Sequence, residues 1–427
     1  MKYFIIHGTG GNPQGNWFPW LKENLKKNGH IVFSPKFPTP ENQSLKSWLE
    51  TFEKYKKELD ENTILIGHSL GPAFILNLLE TISIKIKASI LVAGFLGPLE
   101  IEFYDKLNKS FTEKEFNWKK IRNNCEQFYI INSKDDPYVP FQKGIEIANK
   151  LKTQVIPLEK AGHINEEFGF NKFEKILPYL KVIENQTKIE IKGEEGKLIG
   201  FKTRTKNPNN KAILLVHGFG VTKTEAGLFD ENVEKLIELG FTTYRFDFRG
   251  KGESEGNYEK ITLSKLKNDL EKIYAFIKKE NFEKIGLFAH SFGVTSSLAA
   301  NLKFEATVFI GSIANPKEKI ASLFPNFNSK GISKRRSSSN EEIILCKEVW
   351  KDFEKYDLIK NLNKIKTPIL FIHGTNDTTI PQSESELLFN KYNNQKELYL
   401  IENDDHNFTK FREKQIEKAC KWFNKYL

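Results

Sequence analysis

The 427-residue sequence has few cysteines and no long apolar run. Its three cysteines are odd in number and widely separated, so they indicate neither a disulfide framework nor a metal motif, and they favour a reducing compartment. The longest mostly apolar stretch, residues 88–101, is shorter than the roughly 18 residues that a membrane-spanning helix needs. The N-terminus lacks the features of a signal peptide. We therefore expect a cytoplasmic protein without a membrane span.

Clusters of basic and aromatic residues are also lacking. The formal net charge is +10, but lysine and glutamate alternate along most of the chain. A nucleic-acid groove would need basic side chains gathered on one face with aromatic residues between them. We therefore expect no nucleic-acid partner, and no sequence feature identifies a protein partner.

The sequence divides into two halves with the same order of features. In residues 1–184, short apolar runs alternate with amphipathic stretches, which predicts a parallel sheet with helices on both faces. Residues 187–210 alternate with period two around a Glu-Glu-Gly turn, which predicts a β-hairpin. The alternation of strands and helices then restarts at residue 211. We predict two tandem α/β domains, residues 1–184 and 185–427, because self-similarity over such lengths indicates duplicated domains.

Each half contains one serine in the setting of a reactive nucleophile. Ser69 lies between Gly67 and Gly71, directly after an apolar strand and before a helical stretch. Ser291 has the same setting, although Ala289 takes the place of the first glycine. Small residues on either side allow the tight strand-to-helix turn that exposes a serine hydroxyl. Alanine is the mildest departure, so the pattern predicts two nucleophilic serines.

A serine hydroxyl also needs a base and an acidic group that orients the base. Asp136 and Asp377 each follow an apolar strand in the frame Asp-x-x-Val/Ile-Pro, and His163 and His406 follow the next strand. Nearly the same number of residues separates acid from histidine in both halves. The carboxyl ends of parallel strands meet at one edge of the sheet, so we expect each serine, acid and histidine to meet there. Asp135 is a reserve candidate for the first acid.

Backbone N–H groups must stabilise the oxyanion that forms when the serine attacks a carbonyl. One donor is the residue after the serine, and the other lies in the loop after the first strand of the domain. The predicted donors are Thr9, Leu70, Phe219 and Phe292. We expect His7 and His217 to support these loops. This chemistry requires no metal and no organic cofactor.

The first half resembles the small serine hydrolases of the retinoblastoma-binding-protein type. The stretches HGTGGNPQGNWFPWL, GHSLG, FNWKKI, DDPYVP and AGHIN carry this resemblance, and the tryptophan-rich stretches lie outside the general hydrolase signature. The resemblance implies a compact α/β-hydrolase with a minimal cap and a catalytic triad of Ser69, Asp136 and His163. It does not supply a natural substrate.

The second half resembles the α/β-hydrolases grouped with serine aminopeptidases, monoacylglycerol lipases and feruloyl-type esterases. The stretches LLVHGFG, DFRGKGESEG, AHSFG, HGTNDTTIP and DHNF carry this resemblance. It implies a triad of Ser291, Asp377 and His406, with Asp247 and Arg249 in a structural role. Asp404 and Asp405 adjoin His406 in the sequence, but Asp377 holds the position of the acid.

A lysine-rich insertion at about residues 312–360 lengthens the second half. It lacks strong strand patterns, and in related folds it would form a cap over the substrate pocket. The predicted function is hydrolysis of a small-molecule carboxylic ester, or an amide, through an acyl-enzyme in each domain. One active domain with one scaffold domain is an alternative, and Ala289 makes the second half the weaker of the two. A non-enzymatic protein-interaction module is the other alternative, but two complete sets of residues in chain order argue against it.

Overall fold

The computed structural model describes residues 1–336 and 342–427. The chain forms two compact units, Met1–Glu184 and Asn185–Leu427. In each unit a mostly parallel sheet is joined by helices, so the predicted α/β fold class is confirmed. Among the described residues, no helix combines the length and the apolar character needed to cross a bilayer.

The first unit is built on a parallel sheet of six strands in the order β2-β1-β3-β4-β5-β6. The strands are β1 (Lys2–Ile6), β2 (Ile31–Phe33), β3 (Thr63–His68), β4 (Ala88–Val92), β5 (Phe128–Ser133) and β6 (Val155–Leu158). The helices are α1 (Phe18–Lys27), α2 (Leu45–Glu53), α3 (Gly71–Thr81), α4 (Glu102–Thr112), α5 (Trp118–Asn123), α6 (Phe141–Leu151) and α7 (Leu177–Asn185).

Side chains that alternate along these strands enter two separate apolar cores. On β1, Phe4 and Ile6 belong to one cluster, whereas Tyr3 and Ile5 belong to the other. Successive side chains of a strand point to opposite faces of a sheet, so a strand that is apolar throughout needs helices on both faces. This burial explains why the strands of the first unit are continuous apolar runs.

The second unit has an eight-stranded sheet in the order β16-β15-β12-β11-β9-β10-β8-β7. β7 and β8 pair antiparallel with each other, and β8 is also antiparallel to β10, while the other pairs are parallel. The strands of this sheet are β7 (Gln186–Lys192), β8 (Lys197–Thr203), β9 (Lys211–Val216), β10 (Thr242–Phe246), β11 (Lys284–His290), β12 (Ala306–Ile310), β15 (Ile369–Gly374) and β16 (Lys396–Ile401). The helices outside the insertion are α8 (Leu228–Glu238), α9 (Leu263–Lys278), α10 (Phe292–Ala300), α14 (Ser383–Lys391) and α15 (Arg412–Tyr426).

The insertion between β12 and β15 contains a small hairpin as well as helices. Its elements are α11 (Pro316–Ser322), β13 (Ser333–Arg336), β14 (Glu342–Leu345), α12 (Glu348–Phe353) and α13 (Leu358–Leu362). The antiparallel pairing of β13 with β14 departs from the sequence expectation, because a strand made of Ser-Lys-Arg-Arg carries no apolar alternation. Residues 337–341 of the predicted cap lie outside the described residues.

Candidate active sites

Both predicted nucleophiles occupy tight turns between a strand and a helix. Ser69 follows β3 with a φ of 59°, and Ser291 follows β11 with φ and ψ of 53° and −120°. Left-handed φ values are uncommon for residues other than glycine and mark strained backbone that is frequent at functional sites. The N–H of Ser69 donates to the carbonyl of Val92 at 3.0 Å, and the N–H of Ser291 donates to that of Ile310 at 2.9 Å. A backbone hydrogen bond therefore connects each turn to the neighbouring strand.

The glycines around the serines are required by close backbone approaches. A β-carbon on Gly71 would lie 2.6 Å from the carbonyl oxygen of the last residue of β1. A β-carbon on Gly67 would lie 2.7 Å from the carbonyl carbon of Gly71. The corresponding Ala289 is fully buried in the second unit, so the second turn accommodates one additional methyl group. The motif thus reflects packing of helix against sheet.

In the second unit, the predicted acid, histidine and serine form an unbroken hydrogen-bond chain, which we call the second site. Asp377 Oδ2 lies 2.6 Å from His406 Nδ1, and His406 Nε2 lies 3.0 Å from Ser291 Oγ. A carboxylate beside Nδ1 fixes the tautomer in which Nδ1–H donates to the acid and Nε2 accepts from the hydroxyl. Asp377 Oδ1 accepts from the N–H groups of Thr379 and Ile380 at 2.9 and 2.8 Å. Backbone donors therefore orient the acid.

The electrostatics of the second site favour a charged acid and a neutral histidine. Burial raises the pKa of Asp377, but bonds from His373 and His406 outweigh this effect and hold the pKa below its usual range. His373 Nε2 lies 3.2 Å from Asp377 Oδ2. Burial lowers the pKa of His406, and this effect outweighs the opposing influence of Asp377. A neutral imidazole beside a serine hydroxyl is in the protonation state of a general base.

In the first unit, the acid and histidine meet beside the serine, and we call these residues the first site. Asp136 Oδ2 lies 2.8 Å from His163 Nδ1, and the N–H groups of Tyr138 and Val139 donate to Asp136 Oδ1 at 2.9 and 3.0 Å. Ser69 and His163 line the same cavity of about 230 Å³. In the described part of the chain, no hydrogen bond joins Ser69 Oγ to His163. The first site therefore lacks one link that the second site forms.

The reserve acid Asp135 is bonded to the loop that precedes His163. Its Oδ1 accepts from the hydroxyl of Ser133 at 2.6 Å and from the N–H groups of Ala161 and Gly162 at 3.0 Å each. Asp136, and not Asp135, thus lies within hydrogen-bond distance of the imidazole of His163.

Asp404 has a comparable role before His406. Its side chain accepts from the N–H groups of Asp405, Lys410 and Phe411 at 3.0, 3.1 and 3.2 Å. Asp405 accepts from the N–H of Asn407 at 3.0 Å. Both carboxylates therefore shape the loop that carries the histidine.

The four predicted oxyanion donors are N–H groups without a hydrogen-bond acceptor among residues 1–336 and 342–427. They are those of Thr9 and Leu70 in the first unit, and of Phe219 and Phe292 in the second. Leu70 and Phe292 directly follow the serines, at the start of α3 and α10. A β-carbon on Gly8 would lie 2.6 Å from that of Ser69, so the loop before Thr9 runs close to the serine. These positions leave the donors free for a bound oxygen atom.

The histidines at the start of these loops bond to backbone. His7 Nδ1 donates to the carbonyl of Gly8 at 2.8 Å, and its Nε2 accepts from the N–H of Phe37 at 3.0 Å. His217 repeats the arrangement with Gly218 at 2.9 Å and Phe248 at 3.1 Å. Both ring nitrogens are occupied in each case, which leaves neither histidine available as a base.

Asp247 and Arg249 support the second unit from adjacent positions. Asp247 accepts from the backbone N–H and the ammonium group of Lys223, both at 2.7 Å. Arg249 donates to Asp269 at 2.6 Å and to Glu194 at 3.0 Å. These bonds fix the loop that follows Phe219 and the turn between β7 and β8.

Sequence reasoning missed two histidines that contact the candidate bases through the backbone. His68 Nε2 donates to the carbonyl of His163 at 2.8 Å, and His290 Nε2 donates to that of His406 at 3.1 Å. Each directly precedes the serine, so the tripeptides Gly-His-Ser and Ala-His-Ser were the available signal. Glu225, which contacts His290, has no such signal because the two are 65 residues apart.

In the described part of the chain, no group of three or more histidine, cysteine, aspartate or glutamate residues is arranged to hold a metal ion.

A serine on a strained strand-to-helix turn, with a buried acid–histidine pair at the same edge of a mostly parallel sheet, is the arrangement of the α/β-hydrolases. Residues 3–182 match the family model described as serine hydrolase. Residues 207–341 match serine aminopeptidase, S33, and residues 325–427 match the prolyl oligopeptidase family.

Curated relatives match the first unit. The putative hydrolase YdeN of Bacillus subtilis is 34% identical over 172 residues, which are 40% of this chain and 88% of the relative. The serine hydrolase RBBP9 of Rattus norvegicus is 29% identical over 171 residues, which are 39% of this chain and 89% of that protein. The chain belongs to the serine hydrolase family.

Two solved structures resemble part of this chain. Est1E from Butyrivibrio proteoclasticus, in a structure with ferulic acid bound, has a TM-score of 0.50 and 22% identity and covers 56% of this chain and 98% of its own. The ydeN gene product from B. subtilis covers 43% of this chain and 97% of its own at 32% identity, with a TM-score of 0.41.

Proposed function

We propose that both units hydrolyse carboxylic esters through an acyl-enzyme, and that amides are their second substrate class. The proposed triads are Ser69–Asp136–His163 and Ser291–Asp377–His406. The unbroken chain from Asp377 through His406 to Ser291 carries the proposal, with links of 2.6 and 3.0 Å. The bond of 2.8 Å between Asp136 and His163 extends the proposal to the first unit.

In the proposed reaction, the histidine takes the proton of the serine hydroxyl while the serine oxygen attacks the carbonyl carbon of the substrate. The acid stabilises the imidazolium that forms. Protonation of the leaving group by the histidine releases an alcohol, or an amine, and leaves the acyl group on the serine. The same histidine then removes a proton from water, which attacks the acyl-enzyme and frees the carboxylic acid. Serine and histidine return to their first states.

The N–H groups of Leu70 and Thr9 are the proposed oxyanion donors of the first site, and those of Phe292 and Phe219 serve the second. Their lack of an acceptor among the described residues supports this role. One such donor typically contributes about 10²–10³ to the rate.

The dimensions of the first cavity support a small-molecule substrate. Its volume of about 230 Å³ is below the roughly 300–1,000 Å³ typical of sites for drug-sized ligands. Next to Ser291 in the second unit, the ring of Phe219 lies 5.7 Å from that of Phe292 and 6.1 Å from that of Phe324 in the insertion. We propose that the half-buried Phe219 of this aromatic cluster contacts an apolar acyl group. Among the described residues the three cysteines form no disulfide bond, which supports our proposal of a cytoplasmic location.

A fluorophosphonate probe tests the proposal, since it reacts only with an activated serine. Wild type, Ser69→Ala and Ser291→Ala would be labelled and the adducts mapped by peptide mass spectrometry, with p-nitrophenyl ester hydrolysis measured on the same samples. We expect label on both serines, each lost only in its own mutant. Absence of label on both would refute the hydrolase proposal and favour the interaction module.

A single active unit is the second candidate, and the geometry favours the second site as the active one. Only the second site has the serine–histidine bond among the described residues, although Ala289 in its motif pointed to the opposite assignment. Label on Ser291 alone would support this candidate, with the first unit acting as a scaffold.

A further inference from the structure

A buried ion pair lies directly beside the second site. Glu225 Oε2 is 2.7 Å from His290 Nδ1, and the two side chains are 3% and 2% exposed. We call them the Glu225–His290 pair. The proposed reaction assigns neither residue a chemical step, yet burying two charged groups is costly unless both are well bonded.

The pair contacts both parts of the proposed catalytic machinery. His290 Nε2–H donates to the backbone carbonyl of His406 at 3.1 Å, and the two imidazole rings lie 4.7 Å apart at 38°. The other carboxylate oxygen of Glu225 accepts from the N–H of Gly218, the residue before the proposed donor Phe219. One ion pair therefore joins the loop of the general base to the loop of the oxyanion donor.

The backbone at Glu225 is strained, although Glu225 contacts both Gly218 and His290. Glu225 and Ala226 have φ values of 49° and 50°, which are unfavourable for residues with a side chain. Such strain persists where surrounding interactions fix the conformation. The bonds of Glu225 to Gly218 and His290 are the interactions that fix it here.

The surroundings favour the charged form of both members of the pair. Burial lowers the pKa of His290, but the carboxylate of Glu225 outweighs this effect, and the pKa lies above its usual value. Burial raises the pKa of Glu225, but His290 outweighs it, and the pKa lies below its usual value. The other titratable groups that act on the pair are Asp377 and His406 beside His290, and His217 beside Glu225.

The first site has the same histidine in a different environment. His68 bonds to the backbone carbonyl of His163 at 2.8 Å, and their rings lie 4.9 Å apart. The rings of Trp17 and Phe18 lie 6.0 and 6.1 Å from that of His68. Burial, and then the neighbouring His163, lower the pKa of His68 to about 3. The environment therefore lowers the pKa of this histidine in the first unit and raises the pKa of the corresponding histidine in the second.

We propose that Glu225 and His290 are positioning residues that hold His406 and the loop at Gly218 in one arrangement, and that their charge sets the pH range in which His406 acts as a base. This inference rests on the proposed function of the second site. The cation of His290 opposes protonation of the adjacent His406, so it extends the active form of His406 to lower pH.

Two substitutions at Glu225 separate positioning from charge. Both would be made in the Ser69→Ala protein, so that only Ser291 turns over p-nitrophenyl acetate. Glu225→Ala removes both bonds, and we expect kcat to fall about 100-fold while KM changes by less than about threefold. Glu225→Gln retains both bonds, because its amide oxygen accepts from Gly218 and its amide N–H donates to a neutral His290. We expect its plateau kcat to stay within about fivefold, with the acid limb of kcat/KM shifted to higher pH by about one unit.

Asp230→Asn is the matched control for loss of a buried carboxylate. Asp230 pairs with Arg245 at 2.7 Å, and both side chains are fully buried in the same unit. We expect the control to lower Tm at least as much as Glu225→Gln does. It should leave unchanged both the rate of fluorophosphonate labelling of Ser291 and the low-pH side of the pH profile of kcat/KM.

Four results would overturn the inference or one of its parts, and they are distinguishable. Glu225→Ala with an unchanged kcat would remove the positioning role, and Glu225→Gln with an unmoved acid limb would remove the role of the charge. An equal loss of labelling rate in Asp230→Asn would show that general destabilisation explains the effect. A Ser69→Ala parent that neither hydrolyses the ester nor labels at Ser291 would refute the proposed function of the second site and this inference together.

Discussion

His68 makes the stability of the first unit depend on pH in a direction that can be worked out. Its side chain is buried next to Trp17 and Phe18, and its pKa in the folded protein is about 3. In the unfolded chain the imidazole has the ordinary pKa of about 6.5. Below pH 6.5 the unfolded chain therefore binds a proton that the folded unit does not bind. Stability is complete above pH 6.5 and falls as the pH decreases towards 3.

The size of the effect follows from the difference between the two pKa values. Each pH unit below 6.5 costs about 1.4 kcal/mol of folding free energy until the folded histidine also protonates. Lowering the pH from 8 to 5 should therefore cost the first unit about 2 kcal/mol through His68 alone. That is a substantial share of the roughly 5–15 kcal/mol by which a typical domain is stable.

Urea unfolding of wild type and His68→Gln between pH 8 and pH 5 would measure this contribution. Glutamine keeps a side-chain N–H that can donate to the carbonyl of His163, but it does not titrate. Tryptophan fluorescence reports mainly on the first unit, which contains Trp17, Trp20, Trp48 and Trp118 of the six tryptophans. Subtracting the pH dependence of unfolding free energy of one protein from that of the other cancels the contributions of the titratable groups that both proteins share. We expect wild type to lose about 2 kcal/mol more than His68→Gln.

Equal pH dependences in the two proteins would refute the reasoning. That result would mean that His68 protonates in the folded unit with an ordinary pKa, so that water or a counter-charge reaches the ring. A larger loss in His68→Gln would contradict the sign of the effect.

Two further predictions concern the turn and the acid of the first site. In the Ser291→Ala protein, Asp136→Asn should slow fluorophosphonate labelling of Ser69 by about 10⁴, because an amide no longer fixes the tautomer of His163. Asp135→Asn in the same protein should lower Tm but slow labelling by less than about tenfold. Equal effects of the two substitutions in labelling time courses would contradict the assignment of the acid. Gly67→Ala should lower the free energy of unfolding of the first unit by about 1–3 kcal/mol in urea unfolding, because the added β-carbon would meet the start of α3. Ala289→Gly should change the free energy of unfolding of the second unit by no more than about 1 kcal/mol. An unchanged stability of Gly67→Ala would show that the turn is looser than the distances indicate.

The sequence predicts the parts of the sites that depend on strand ends. Ser69, Asp136 and His163 each follow a strand of one parallel sheet, so the topology alone brings them to the same edge. The bond between Asp136 and His163 then follows from short loops of similar length in the two halves. Local patterns were sufficient here because each pattern marks both a residue type and the end of a strand.

Contacts that cross between loops could not be predicted in this way. Glu225 lies in no recognisable motif, and its partner His290 is the last residue of β11, which follows α8, β10 and α9 along the chain. The frame Asp-x-x-Val/Ile-Pro favours Asp136 over the adjacent Asp135, but it does not predict that Asp135 bonds to the loop before His163. The hairpin of the insertion was missed because its first strand consists of polar residues, and burial of Ile343 and Leu345 on β14 supplies its apolar side.

The histidines before the two serines show how one backbone contact can be combined with opposite electrostatics. His68 among aromatic rings is neutral, so the first unit loses stability as the pH falls below 6.5. His290 beside Glu225 has a raised pKa, so its ion pair contributes stability below the ordinary pKa and loses that contribution as the pH rises through the folded value. The two units therefore respond to pH with opposite sign through corresponding residues. Among the groups that raise the pKa of His290, the carboxylate of Glu225 has the largest effect, and no carboxylate of the described residues has a resolved effect on the pKa of His68.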